Sequence, residues 1–363
     1  MRAALIVAGM LIAGVSLAQA AAPGDDILHD VPLHVGGRVA PDGRHQWPGV
    51  YYEGAFDGDA VSVDLKDDRN SYNIYLDGRF VRRVKTGAKV AVTAGDGGRH
   101  VVRVELANET TDAPAATGTL QVREIHRPGL DDVNLPLPAP GPRSRQIEII
   151  GDSYAAGYGV LSTRHDCTPD EIRDTTDTSQ TFGVLLARRY DADYQVNAYS
   201  GIGMVRNYGG GDGPTLPDLY PYSLFDRTTA YADPKWQPRI IVIALGDNDF
   251  ATSLATGETW PNETSLRQDF IAAYVAFVEG LHRRDPKASF ILMDFNELTL
   301  PHDILAVIAR LKADGEKHVV AFSPGGSFEQ TGCDWHLSLN DHRRIADGLA
   351  GLIEAHPELW HAH

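Results

Sequence analysis

The stretch Ile147-Glu148-Ile149-Ile150-Gly151-Asp152-Ser153-Tyr154-Ala155-Ala156-Gly157-Tyr158-Gly159 decides the fold of the second half of the chain. A short apolar run stops at Gly-Asp-Ser and passes into a turn punctuated by glycines. Apolar runs of this length, bounded by turn residues, read as strands buried on both faces, which belong to parallel sheets. Ile240–Leu245 is an unbroken apolar run, and Tyr194–Ala198, Phe290–Met293 and Val319–Phe322 are shorter ones. Between them lie helical patterns. Phe270, Tyr274, Phe277, Val278 and Leu281 share one helix face, as do Ile304, Leu305, Ile308 and Leu311, and Ile345, Leu349, Leu352 and Ile353. Strands alternating with helices predict a three-layer α/β domain with a mainly parallel sheet over residues 145–363.

Upstream the period changes from helical to two. Val61–Leu65, Tyr72–Leu76 and His100–Leu106 alternate apolar and polar residues, separated by turn signals such as Asp57-Gly58-Asp59 and Gly95-Asp96-Gly97-Gly98. This predicts an antiparallel β-sandwich over residues 21–128, with Asp77-Gly78 closing a tight hairpin. Between the two domains, residues 129–144 include Leu135–Pro142, with four prolines in eight residues, a composition that forms an extended, semi-rigid linker. Residues 1–20 read as a secretory signal peptide: Arg2, an apolar run from Ala3 to Leu17, then Ala18-Gln19-Ala20. Cleavage near Ala20 would leave a secreted protein with no membrane span. In an oxidising compartment the two cysteines, Cys167 and Cys333, are expected to pair.

The 363 residues are 43% hydrophobic and 23% charged, which fits globular domains and excludes a disordered chain. With 33 Lys+Arg against 49 Asp+Glu, the net charge of −16 disfavours nucleic acid and anionic membranes as partners. Asn108-Glu109-Thr110 and Asn262-Glu263-Thr264 match the glycosylation sequon, a pattern that arises by chance.

Ligands of open parallel sheets bind at the carboxyl ends of the strands. Gly151-Asp152-Ser153, Ser200-Gly201-Ile202-Gly203 and Gly246-Asp247-Asn248-Asp249 fall there, and Cys333-Asp334-Trp335-His336 precedes the last helix. Each alone is a weak signal, since a serine after a glycine is commonly a turn or helix cap. The G-x-G-x-x-G and P-loop patterns are absent, which argues against a nucleotide site. The G-x-S-x-G elbow is absent too, because Ala155 stands where its second glycine belongs. Metal-ligand spacings are missing, and no metal or cofactor is expected.

In order, the four segments resemble the four blocks of the SGNH (GDSL-type) serine hydrolases. A closer resemblance takes in the first domain. A small, jelly-roll-like β-sandwich joined through a Pro-rich linker to an SGNH domain is similar to carbohydrate esterase family 2. That likeness rests on Asp77-Gly78, Ile149–Ser153 with Gly157-Tyr158-Gly159, Gly203–Asn207, Leu245-Gly246 with Asn248-Asp249, and Asp334-Trp335-His336. It implies an acetylxylan esterase-like enzyme that removes O-acetyl groups from polysaccharides such as xylan or glucomannan through an acyl-serine intermediate.

By this resemblance Ser153 is the nucleophile, His336 the general base, and the oxyanion donors are the Ser153 and Gly201 N–H groups and the Asn248 side-chain amide. The chemistry agrees, because a serine hydroxyl is a weak nucleophile until a base takes its proton. The broad pattern places an acid three residues before the histidine, and here that position is Cys333. Either Asp334 or a backbone carbonyl is then left to orient the imidazole. Trp335, Trp260 and Tyr158 are candidate sugar-stacking residues. Competing readings are an SGNH lipase or thioesterase, a peptidoglycan O-acetylesterase, and a glycan-binding protein with an idle hydrolase domain.

Overall fold

The computed structural model describes residues 27–67, 69–85, 87–95, 97–109, 120–126, 136–295 and 301–361. The expected signal peptide and the first part of the linker lie outside them. The first domain holds β1 (Ile27–Asp30), β2 (Leu33–Gly36), β3 (Tyr51–Asp57), β4 (Ala60–Leu65), β5 (Ser71–Leu76), β6 (Arg79–Lys85), β7 (Lys89–Thr93), β8 (Arg99–Leu106) and β9 (Leu120–His126). They form a four-stranded sheet ordered β1-β9-β4-β7 and a five-stranded sheet ordered β2-β3-β8-β5-β6. Every pairing is antiparallel. Alternation explains the pairing of faces. Val90 and Val92 of β7 point inward with Val61 and Val63 of β4, and meet Ile74, Val102 and Val104 of the other sheet in one apolar core. At the β5–β6 turn, Asp77 and Gly78 have φ of 50° and 75°, the left-handed pair that a two-residue hairpin turn requires.

The second domain carries β10 (Arg145–Gly151), β11 (Ala192–Ala198), β12 (Ile240–Ala244), β13 (Ser289–Met293) and β14 (Val319–Phe322). All four pairings are parallel and the order is β11-β10-β12-β13-β14. Its helices are α1 (Ser153–Ala156), α2 (Pro169–Thr175), α3 (Phe182–Arg189), α4 (Leu216–Leu219), α5 (Asp247–Phe250), α6 (Glu263–Arg284), α7 (Pro301–Ala313) and α8 (Leu339–Ala355). The unbroken apolar strand β12 is explained by burial on both faces. Ile240, Val242 and Ala244 pack toward α3 and α8, whereas Ile241 and Ile243 pack toward α6 and α7.

The strand order reverses direction at β10, the switch point where such sheets place their ligands. Glu148 interrupts the apolar run of β10, yet it is fully buried. Arg284 at 2.7 Å and Arg38 of the sandwich at 3.2 Å pair with it. Burial alone would raise its carboxyl, but the two guanidiniums outweigh that and hold it below the usual range.

The two domains are welded as well as tethered. Trp47 of the sandwich is completely buried in the core of the second domain, and its Nε1 donates to the Tyr222 carbonyl at 3.0 Å. Tyr51 donates to Asp193 at 2.6 Å, Asn73 to Asp177 at 3.0 Å, and the Thr178 N–H to the Ala107 carbonyl at 2.7 Å. From the linker, Arg143 bonds both Glu53 and Asp193. Residues 136–142 form no regular secondary structure, as their prolines require.

Candidate active site

Ser153 is the first residue of α1, directly after β10, and it is the backbone there that demands Gly-Asp-Ser. A Cβ at Gly151 would meet the Ala155 Cβ at 2.7 Å and the Ala244 carbonyl oxygen at 2.8 Å, so the strand end admits only glycine. Asp152 caps α1 by accepting the Tyr154 N–H at 3.1 Å. Ser153 lines a cleft of about 1140 Å³ together with Gly201, Asn248, Trp335 and His336. The β-sandwich supplies part of the wall, including Asn70, Asn108 and Glu109.

His336 follows a tight turn at Cys333–Trp335, in which Asp334 and Trp335 hold φ of 49° and 63°. Two successive non-glycine residues in the left-handed region are strained, and such strain persists where surrounding structure enforces it. Here the Cys167–Cys333 disulfide anchors one end, with Cα atoms 5.6 Å apart. The Asp334 N–H donates to the His165 carbonyl at 2.8 Å. Gly159 lets this turn approach, since a Cβ there would sit 2.5 Å from the Cys333 Cβ.

The turn brings the Cys333 carbonyl within 2.8 Å of His336 Nδ1. A carbonyl only accepts, so Nδ1 carries the proton and Nε2 is left as the base. Burial lowers the imidazole below its ordinary value and keeps it neutral, against the raising effects of the Cys333 carbonyl and the Asp334 charge. Asp334 therefore does not hold the position expected of an orienting acid. Its Oδ2 accepts instead from the Tyr158 hydroxyl at 2.8 Å. Of the two groups left open by the sequence, the left-handed turn brings the carbonyl rather than the Asp334 carboxylate to the imidazole.

The Ser153 and Gly201 N–H groups have no partner among the described residues. Gly201 has φ of 79°, and a Cβ on it would meet nothing within 4 Å, which leaves its amide open to the cleft. Asn248 differs from expectation. Its Nδ2 donates to the Ile202 carbonyl at 2.9 Å and to Asp152 at 3.2 Å, so neither N–H is spare in this resting arrangement. Burial, with the Asp247 carboxylate second, raises the Asp152 carboxyl well above the usual range. Burial, followed by Asp294 and Asp249, pushes Asp247 itself up to about 7. Asp249 anchors the loop that follows Gly201 by accepting the Met204, Val205 and Arg206 N–H groups at 2.8 to 2.9 Å.

The aromatic expectations divide. Trp335 is 63% exposed, one face stacked on His165 at 3.5 Å and the side chain lining the cleft. Tyr158 packs its ring on His336 at 4.3 Å and buttresses the imidazole. Trp260 is not among the residues that line the cleft, and its Nε1 donates to Asp269 at 2.8 Å. Tyr208, which sequence reasoning did not single out, is 60% exposed and lines the cleft. Glu109 was also missed, having been read only as the middle of a sequon. Asn108 is no glycan acceptor: it is buried and accepts the Ser71 N–H at 2.6 Å.

The disulfide joins residues 166 positions apart in the sequence. Its reduction is expected to destabilise the protein by about 2–5 kcal/mol, chiefly by freeing the unfolded chain. Denaturant unfolding with and without reductant measures this; coincident curves would contradict it. Activity should fall at the same time, because the turn that presents His336 loses its anchor.

The comparisons agree on both domains. Residues 35–127 match the family model described as Carbohydrate esterase 2 N-terminal, and residues 149–351 match the GDSL-like Lipase/Acylhydrolase family. The chain is 36% identical to an acetylxylan esterase / glucomannan deacetylase of Cellvibrio japonicus, over 98% of both chains. It is 27% identical to the cellulase/esterase CelE of Acetivibrio thermocellus, over 85% of this chain and 37% of that protein. Among solved structures it matches a carbohydrate esterase whose active site is described as having divergent catalytic and non-catalytic binding functions. That match has a TM-score of 0.81 and 35% identity, covering 92% of this chain and 100% of the other. Two domain matches in order, and identity sustained over the whole length, place this chain in carbohydrate esterase family 2, as a carbohydrate esterase.

Proposed function

We propose that this protein removes O-acetyl groups from polysaccharides such as xylan or glucomannan through an acyl-Ser153 intermediate. The observation that carries the reading is the His336 Nδ1–Cys333 carbonyl bond of 2.8 Å in the cleft that also holds Ser153 and two unpartnered amides. His336 Nε2 takes the Ser153 proton as Oγ attacks the ester carbon. The N–H groups of Ser153 and Gly201 receive the oxyanion, joined by Asn248 as it releases Asp152. Collapse expels the sugar oxygen, which takes the proton from the imidazolium. Water, deprotonated by the same imidazole, then hydrolyses the acetyl-serine to acetate and free Ser153. The imidazole is oriented by a carbonyl, so the machinery is a Ser–His dyad.

A cleft of about 1140 Å³ far exceeds what an acetyl group fills, and the exposed rings of Trp335 and Tyr208 offer apolar faces to pyranose units. The C. japonicus relative acts, by its name, on acetylxylan and glucomannan. The apolar run before Ala20 supports export of the mature enzyme.

Acetate release from acetylated xylan and acetylated glucomannan, beside hydrolysis of 4-nitrophenyl acetate and 4-nitrophenyl decanoate, tests the substrate class. Both polysaccharides are expected to release acetate, and the acetyl ester to be cleaved at least about tenfold faster than the decanoyl ester. Preference for the decanoyl ester, with intact polysaccharide acetates, would move the assignment to a lipase.

A further inference from the structure

Glu109 belongs to the β-sandwich, three residues past β8, yet its side chain ends in the active-site cleft. It is 6% exposed and has no cationic partner among the described residues. Burying a carboxyl without a cation is costly, and burial pushes this one up to about 7. Among the described residues, the carboxyl's hydrogen bonds all serve one residue of the other domain. One carboxyl oxygen accepts the Ser200 N–H at 2.8 Å, and the other bonds the Ser200 hydroxyl.

Ser200 precedes Gly201, whose N–H stands in the cleft without a partner. The far side of that peptide pair is also tied, since the Gly201 carbonyl accepts the Tyr208 N–H at 2.9 Å. Glu109 is itself held firmly. Asn108 Nδ2 donates to its carbonyl at 3.1 Å, and the Ala107 carbonyl accepts the Thr178 N–H at 2.7 Å.

We propose that Glu109 is a positioning residue for ester hydrolysis, supplied by the β-sandwich: its carboxyl clamps both polar groups of Ser200 and so aims the Gly201 N–H at the developing oxyanion. The proposal rests on the serine-esterase reading above and extends it, because the sandwich then becomes part of the catalytic apparatus. The clamp works in either protonation state. An ionised carboxylate accepts from both Ser200 groups, whereas the neutral acid accepts the N–H and donates to the hydroxyl. Glutamine can do the same, with its carbonyl on the N–H and its amide on the hydroxyl; alanine can do neither.

The test measures kcat and KM on 4-nitrophenyl acetate for the wild type, Glu109→Ala and Glu109→Gln. It adds the affinity for an alkylboronic acid, whose Ser153 adduct places an oxygen where the oxyanion forms. Glu109→Ala is expected to lose about 10- to 100-fold in kcat, with KM changed less than about threefold, because a misaimed donor recovers only part of its worth. Boronate affinity should fall in proportion, and Glu109→Gln should stay within about threefold of wild type.

Wild-type kcat in Glu109→Ala would overturn the proposal, as would a kcat loss that leaves boronate affinity intact. If the alanine variant does not fold, Ser200→Ala decides. It removes only the hydroxyl half of the clamp, so a loss of a few-fold, matched in boronate affinity, supports the proposal, and no loss overturns it. An inactive wild type would instead sink the esterase reading itself, a result distinct from all of these.

Discussion

Ser153→Ala is expected to lower kcat for acetyl release by about 10⁴- to 10⁶-fold while leaving the fold intact. Ser153 is 9% exposed and opens α1 at the end of β10, where alanine fits without displacing a neighbour. What disappears is the covalent route. Without Oγ, hydrolysis requires a water molecule to be aligned on the ester, and only the oxyanion donors and substrate binding remain. In serine proteases, loss of the nucleophile costs about as much as loss of the whole catalytic group, near 10⁶-fold, with a residual rate from those donors. Acetate release from acetylated xylan measures the loss. Mass analysis of acid-quenched wild type during turnover should find an acetyl group on the peptide bearing Ser153, and none in the variant. A variant retaining more than about a tenth of wild-type turnover would eliminate the acyl-serine route.

The parts of this molecule that were legible in its sequence are those whose cause is local. The β12 run reads as a strand because every residue of Ile240–Ala244 is buried, alternately against α3 with α8 and against α6 with α7. Asp77-Gly78 reads as a hairpin because few residue pairs accept the φ values that turn needs. Ser153 stood out because the backbone around it demands glycine at 151. Contacts between the domains have no local signature. Glu109 reaches Ser200 across 91 positions of chain, and nothing near either residue announces the meeting. Trp260 and Tyr208 show the same limit on the surface: an aromatic in a loop is legible, but whether it faces the cleft is set by loops remote in sequence. Glu148 within an apolar strand hinted at such a contact, since a carboxylate there requires cations, and Arg38 of the sandwich supplies one. The turn at Cys333–Trp335 has no legible local signature for a further reason. Two non-glycine residues at positive φ are a choice that propensity disfavours and that the disulfide and Gly159 impose.

His336→Ala should cost as much as Ser153→Ala, about 10⁴- to 10⁶-fold in kcat, and the double variant should cost no more than either, since the two act as one unit. Asp334→Asn is the discriminating partner. In a triad with an essential acid, amidation costs about 10⁴-fold, because the imidazole is held in the wrong tautomer. Here the Cys333 carbonyl sets the tautomer at 2.8 Å, and Asp334 bonds the Tyr158 hydroxyl instead. Asp334→Asn is therefore expected to lose less than about tenfold. The pH profile carries an independent sign. A protonated imidazole cannot accept the Ser153 proton, so kcat/KM falls as pH drops through the His336 value. Burial sets that value below the ordinary 6.5, and the acid limb of the wild type should fall below that pH. The Asp334 charge acts against burial and raises the imidazole. Removing that charge should therefore move the limb to still lower pH, the opposite of what an added defect in the base would produce. A 10⁴-fold loss in Asp334→Asn would reinstate the carboxylate as the orienting group, whereas a small loss with a downward-shifted limb leaves the carbonyl in that role.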